Sequence, residues 1–259
     1  MHPLMNIGIS AARTAGNIIL QGFERLDKVA VSEKQQNDYV TEIDIKAENA
    51  IIHTIHKAYP DHEILAEESG RTGNSDIVWI VDPLDGTRNF MHGLPHFAVS
   101  IAIEENKKMT HAIIYDPMRD ELFTASRGIG AQLNNRRLRV SQQTELRRAL
   151  VGTGFPIQEE NVDGYLPTFS TLLAKCGGMR RAGAAALDLA YVAASRLDGF
   201  WEFNLHPWDI AAGSLLIKEA GGLISDFHGG EDYLTSGNVV AGNPRIFKLL
   251  LQNIKPLAD

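Results

Sequence analysis

The sequence has almost no cysteine. Cys176 is the single thiol among 259 residues, which rules out an internal disulfide and any zinc site built on several thiolates. It also lacks a long apolar run. Nothing approaches the roughly 18 uninterrupted apolar residues of a membrane helix, and "MHPLMNIGISAARTAG" has neither the apolar centre nor the cleavage pattern of a secretory leader. The expectation is a cytoplasmic protein. Positive charge is in deficit, with 25 Lys and Arg against 32 Asp and Glu, a net −7. The surface as a whole therefore does not draw nucleic acid or an anionic membrane, and an anionic ligand needs a local reversal of sign. There is no Walker A sequence, and "RGIG" lacks the third glycine and the strand–helix setting of a dinucleotide site. NTP-driven and nicotinamide chemistry are not expected.

What is present is enough chain for one large domain or two lobes. Leu4, Ile7, Ala11, Ala15, Ile18 and Ile19 recur at helical spacing over residues 4–24. Residues 26–40 are polar, and "KQQND" reads as a loop. Thr41 and Asp44 have the spacing of a helix cap before "IDIKAENAIIHTIHKAYP". Strands are expected at "EILA" (63–66), in the apolar run into Asp82, and at 97–105, 110–116 and 121–127, the last three antiparallel, with Asn134-Asn135 as a hairpin turn. From about residue 145 the texture changes. Helices at "YLPTFSTLLAKC", "AAALDLAYVAASRL", "HPWDIAAGSLLIKEA" and "PRIFKLLLQNI" alternate with strands at "ALVGTGF", "GFWEF", "GLISDF" and "VVAGN". The expectation is an α+β lobe over about 1–145 and an α/β lobe over about 146–259, within a single domain.

"IVDPLDGTRNF" (80–90) departs from ordinary interior chemistry. Its strand ends in two aspartates, Asp82 and Asp85. At about 4 Å two bare carboxylates repel by about 4 kcal/mol at an effective dielectric of 20. One can point outward, the two can share a proton, or a cation can lie between them. A solvated turn with an aspartate capping the next helix satisfies the first option. Other acids sit where apolar elements begin or end: Glu67 and Glu68 after a strand, Asp44 and Asp209 at helix starts. Hard oxygen donors without His or Cys favour Mg²⁺ or Mn²⁺. Several of them suggest the paired-ion arrangement of phosphoester hydrolysis. Gly86-Thr87 adds a turn that lets backbone approach an anion and a helix start that aims N–H groups at it.

"WIVDPLDGTRNF", with "EES" upstream and "WDIAAGSLLIKEAGG" downstream, resembles the inositol monophosphatase family over essentially the whole chain. "MHPLMNI", "LPHFAVSIA", "YDPMRDELFTA" and "ALDLAYVAA" are similar to its bacterial SuhB branch. The resemblance implies a layered αβαβα sandwich, usually dimeric, and an Mg²⁺-dependent phosphatase of inositol monophosphate and related polyol or sugar phosphates, with two or three ions per site. It implies that Glu67, Asp82 and the Leu84 carbonyl hold one ion, and that Asp82, Asp85 and Asp209 hold a second. Asp44 and Thr87 would orient the attacking water beside Glu67. Gly86 and Thr87 N–H groups would hold phosphate oxygens, and Glu202, Asp85, Asp209 and the backbone near Ala185 would contact substrate. The same branch implies an alternative: a partner of the transcription antitermination and ribosomal RNA maturation machinery, through protein or RNA, with catalysis secondary. Ala184 stands where relatives often carry Ser or Thr, and Arg88 where a small polar residue is common.

Other residues have plainer readings. His53 and His56 suit a solvated helix face, and His92, His96 and His206 structural hydrogen bonding. Trp79, Trp201 and Trp208 suit core packing around the site. The basic clusters 134–139, 147–148 and 180–181 suit a hairpin and helix ends, with an interface or partner patch as the alternative.

Overall fold

The computed structural model describes residues 2–35, 38–155 and 162–255. Helix α1 (Pro3–Phe23) starts with Pro at its first position and the His2 ring accepting from the Leu4 N–H. Its buried side is Leu4, Met5, Ala11, Ala12, Ala15 and Ile19. A two-stranded hairpin follows, β1 (Val31–Gln35) and β2 (Asp38–Thr41). The polar stretch expected as a loop is therefore partly strand. Its antiparallel ladder is a pairing that hydropathy does not report, and Gln36 and Asn37 lie outside the described residues. Helix α2 (Glu42–Ala58) opens with the expected reciprocal cap: Thr41 accepts from helix amides and Asp44 accepts from the Thr41 N–H.

Strands β3 (Glu63–Ala66), β4 (Gly70–Thr72), β5 (Ile77–Asp85), β6 (Ala98–Glu105), β7 (Lys108–Asp116), β8 (Glu121–Ser126), β9 (Gly130–Leu133) and β10 (Arg136–Arg137) form one eight-stranded sheet, in the order β10-β9-β8-β7-β6-β5-β3-β4. Only β3 and β5 pair in parallel. Asn134 and Asn135 both take positive φ in the β9–β10 turn, as expected. β5 is apolar along nearly its whole length because both of its faces are covered. Between Asp85 and β6 lies a short helix, α3 (Thr87–Met91).

The remaining chain builds a five-stranded sheet of β11 (Leu150–Thr153), β12 (Gly178–Arg180), β13 (Gly199–Glu202), β14 (Leu223–Ser225) and β15 (Val239–Gly242), in the order β12-β11-β13-β15-β14. Its helices are α4 (Val162–Leu173), α5 (Ala185–Ala193), α6 (Pro207–Glu219), the single turn α7 (Tyr233–Ser236) and α8 (Pro244–Ile254).

Three cores stack these parts. One joins α1 and α2 to the large sheet through Ile19, Ile51, Trp79, Ile101 and Tyr115. A second joins the other face of that sheet to α5 and α6 and on to the small sheet, through Ile80, Ile114, Leu189, Leu215, Phe200 and Ala241. A third joins the small sheet to α4 and α8 through Tyr165, Trp201, Val240 and Leu250. The layers thus run αβαβα. Trp79 and Trp201 belong to the two outer cores, the first shared with Leu84 of the DPLDGT turn, and Trp208 stacks on His206. Among the described residues no helix is long and apolar enough to cross a membrane.

The middle layer depends on a close approach of α5 and α6. A Cβ added at Gly213 would lie 2.5 Å from the Leu189 Cβ. Gly213→Val should therefore force the two helices apart and destabilise the protein by about 1–3 kcal/mol, the usual cost of overpacking. The urea midpoint measures it, and an unchanged midpoint would show that this layer yields freely.

Candidate active site

β5 does not stop at Asp82. It continues through Asp85, with a register shift against β6 between the two aspartates. Residues three apart on a regular strand point to opposite faces. A bulge, in a segment where Pro83 can donate no ladder bond, removes that alternation. Asp82 and Asp85 therefore converge, and Asp209 joins them from the first turn of α6. Each offers an oxygen within 4.8 Å of the other two. The Leu84 N–H donates to Asp82 at 2.9 Å and the His206 N–H to Asp209 at 2.7 Å. Asp85 accepts from Ala185 and Ala186 N–H at 3.2 and 2.8 Å, across to the start of α5.

The energetic state of these acids follows from their setting. Burial, then the charges of Glu67, Asp85 and Asp209, push the Asp82 carboxyl well up. Burial and the Asp209 charge push Asp85 up to about 7. Burial also raises Asp209. At this spacing each charged pair repels by about 3–4 kcal/mol at a dielectric of 20. Three oxygen donors with no histidine or thiolate among them fit a hard divalent cation. Glu67 stands at the end of β3, its N–H donating to the Val81 carbonyl at 3.1 Å, and its charge is felt at Asp82.

Next to this cluster, Gly86 takes φ 97 as the residue before α3. A Cβ there would meet the His96 carbonyl at 3.0 Å and Ala184 at 3.3 Å, so only glycine suits both the angle and the space. The Thr87 hydroxyl lies 2.8 Å from Asp44 Oδ1 and 3.0 Å from the Leu84 carbonyl. Its one proton serves one acceptor at a time. Burial raises the Asp44 carboxyl, against the pull of its threonine partners. Glu202, at the end of β13, is raised by burial and then by the charges of Asp188, Asp209 and Asp85. Of the site residues expected from the sequence, Asp82, Asp85 and Asp209 meet one another, Thr87 meets Asp44 and Leu84, Asp85 meets the amides at Ala185, Glu67 acts on Asp82, and Glu202 feels Asp85 and Asp209. Arg88 stacks over the Tyr39 ring of the hairpin at 5.7 Å.

Three polar residues escaped the sequence reading. Glu48, buried on α2, accepts from Glu68 and Ser69 N–H and so fixes the loop after Glu67. Asn89 donates to the carbonyls of His96, Ala182 and Gly183, tying the DPLDGT turn to the approach to α5. Asp188 is buried on α5. Asp188 is an isolated polar letter in an apolar run, which is the signal that could have found it, whereas Glu48 and Asn89 sit among polar neighbours. His96 also differs from expectation: its Nε2 is buried without a hydrogen-bond partner. Cys176 is half-buried, its thiol pushed up to about 11 by burial.

In the absence of a cation, stability should fall as pH rises from about 4 to about 7. Asp85 titrates near 3.8 when unfolded and near 7 when folded. In that window the fold binds the extra proton, so its advantage is present at low pH and lost as pH climbs through the folded value. Asp82 and Asp209 shift the same way. Thermal midpoints in chelator should show this fall, less steeply in Asp85→Asn, and added divalent cation should reverse it. A wild-type slope no steeper than that of the variant would contradict it.

The chain has relatives among known proteins. The sequence profile of the inositol monophosphatase family matches residues 1–257. The chain is 54% identical over 263 residues to "Nus factor SuhB" of Pseudomonas aeruginosa, covering 99% of this chain and 97% of that protein. The crystal structure of the extragenic suppressor protein suhB from Bartonella henselae superposes with a TM-score of 0.96 at 45% identity, covering 98% of this chain and 99% of that one. The inositol monophosphatase from Anabaena (Nostoc) sp. PCC 7120 superposes at 0.88 and 35% identity, covering 98% and 95%. The chain belongs to the inositol monophosphatase family.

Proposed function

We propose that this protein is an Mg²⁺-dependent phosphomonoesterase acting on inositol monophosphate and related small polyol or sugar phosphates. The observation that carries the reading is the meeting of Asp82, Asp85 and Asp209 within 4.8 Å, with carboxyls raised by burial and mutual repulsion. Glu67, Asp82 and the Leu84 carbonyl would hold one Mg²⁺, and Asp82, Asp85 and Asp209 a second, with Mn²⁺ as a substitute. Bound there, the ions supply the positive charge that favours ionisation of water and offsets charge on the phosphoryl and leaving oxygens.

The chain's own groups do the rest. Gly86 and Thr87 offer first-turn amides without helical partners to phosphate oxygens. The Thr87 hydroxyl, held by Asp44 and the Leu84 carbonyl, orients the attacking water and passes its proton toward Asp44. Asp85 fixes the amides of Ala185 and Ala186 at the substrate side, and Glu202 accepts from a substrate hydroxyl. Water is the nucleophile, so neither Cys176 nor a serine is required.

A second reading has its own support, the naming of close relatives as Nus factors. It makes this chain a partner of the transcription machinery, alongside or in place of catalysis. Of the basic clusters, Arg147 and Arg148 pair with Glu145, whereas Arg136 and Arg137 lie exposed on β10 and are the better candidates for a partner surface.

Asp85→Asn should lower Mg²⁺-dependent phosphate release by about 10³-fold or more, on the scale of losing one preorganised electrostatic group, while the fold is retained. Phosphate release from inositol 1-phosphate and a panel of small esters, with and without EDTA, measures it. Full activity of the variant would sink the site assignment. No wild-type activity on any ester would favour the transcription partner, which the same variant should then leave intact in cells.

A further inference from the structure

Asp188 is the buried carboxylate that the mechanism above leaves unused. It lies about one turn into α5, beyond the two amides that hold Asp85. It is 2% exposed, as deep as Asp82. No hydrogen bond reaches its carboxylate from any described residue. Among the described residues, His96 Nε2 is the one fully buried side-chain polar atom without a partner. The Asp188 oxygens therefore retain the little surface this residue has, near enough to Asp85 and Glu202 for the charges to act on one another.

The sequence clears room around it. Gly152 and Gly154 on and just past β11 are two apart and share a face. A Cβ on Gly154 would fall 1.6 Å from Glu202 Oε1, and one on Gly152 would lie 3.5 Å from Asp188 Cγ. Glu202 thus fills the space over Gly154, and Asp188 shares that over Gly152 with Leu197 and Phe200, whose carbons lie nearer at 2.9 and 3.2 Å. Of the charges around Glu202, that of Asp188 bears on it most. The Arg181 guanidinium, stacked over the Phe155 ring at 5.1 Å, acts on both acids with the opposite sign.

Burial and the Asp85 charge push the Asp188 carboxyl well up, as burial and acidic neighbours do that of Glu202, and the open oxygens of each still accept hydrogen bonds. Two neighbouring carboxyls with open oxygens call for two neighbouring donors, and leaving buried polar groups unpaired discriminates strongly against ligands that lack them. With their anionic forms disfavoured in this way, the pair suits neutral hydroxyls better than an ammonium group. We propose that Asp188 is a specificity-determining residue that, together with Glu202, accepts hydrogen bonds from two adjacent hydroxyls of the substrate, selecting phosphate esters of vicinal diols. This rests on the phosphatase reading for the phosphoryl end of the cleft.

The experiment compares kcat/KM for inositol 1-phosphate and for phenyl phosphate, with Mg²⁺, in the wild type, Asp188→Asn and Asp188→Ala. The ratio of the two should fall at least tenfold in both variants, mainly through KM for the inositol ester. The thermal midpoint should hold or rise, because a buried acid without a hydrogen-bond partner has been removed. In Glu202→Gln/Asp188→Asn the loss of selectivity should be less than the product of the single losses. A ratio within twofold of wild type, or a collapse of the midpoint in both variants that assigns Asp188 to folding, overturns the inference while leaving the phosphatase reading in place. A wild type inactive on both esters overturns the two together.

Discussion

The Asp85 carboxylate holds two layers of the molecule in register and at the same time belongs to the charged cluster. It reaches from the end of β5 to the first amides of α5, residues a hundred positions away in the chain. A helix N-terminus carries partial positive charge and favours an acid there. Asp209, within 4.8 Å, disfavours the same charge. One group thus locks the middle helical layer to the large sheet and makes the junction depend on what else enters it.

The turn that follows is fixed from several directions. The left-handed Gly86 lies against the His96 carbonyl, and the Asn89 amide ties that carbonyl to those of Ala182 and Gly183. Thr87 is held by Asp44, which is itself held by Thr41 in the cap of α2. Glu48, one turn further along α2, fixes the loop after Glu67. A single helix therefore positions two sides of the cleft through two buried acids. Such preorganisation suits chemistry in which donors must be in place before charge develops.

Periodicity made α1, α2 and α8 legible, because each buries one stripe, and alternation with turn residues exposed the antiparallel run from β6 to β9. The hairpin at 31–41 was missed because short polar strands show no apolar face. The parallel pairing of β3 with β5 is a non-local choice that no local window contains. At the site, residue type and position at element ends marked Asp82, Asp85 and Asp209. Their convergence depended on a bulge that the spacing alone argued against. Glu48 was hidden differently: α2 carries many polar residues, most of them on its solvent side, and sequence does not show which one turns inward.

The acids of the cleft fall into two groups by the company they keep. Among the influences that set the state of Asp82, Asp85 and Asp209, no lysine or arginine figures. At Asp188 and Glu202, Arg181 counts against the burial and the acidic neighbours. A free cation entering the cleft gains most where no side-chain cation already stands, which is at the first three. The other two, pushed well up by burial and acidic neighbours against the smaller pull of Arg181, keep open oxygens but disfavour the anion, a setting suited to neutral hydroxyls.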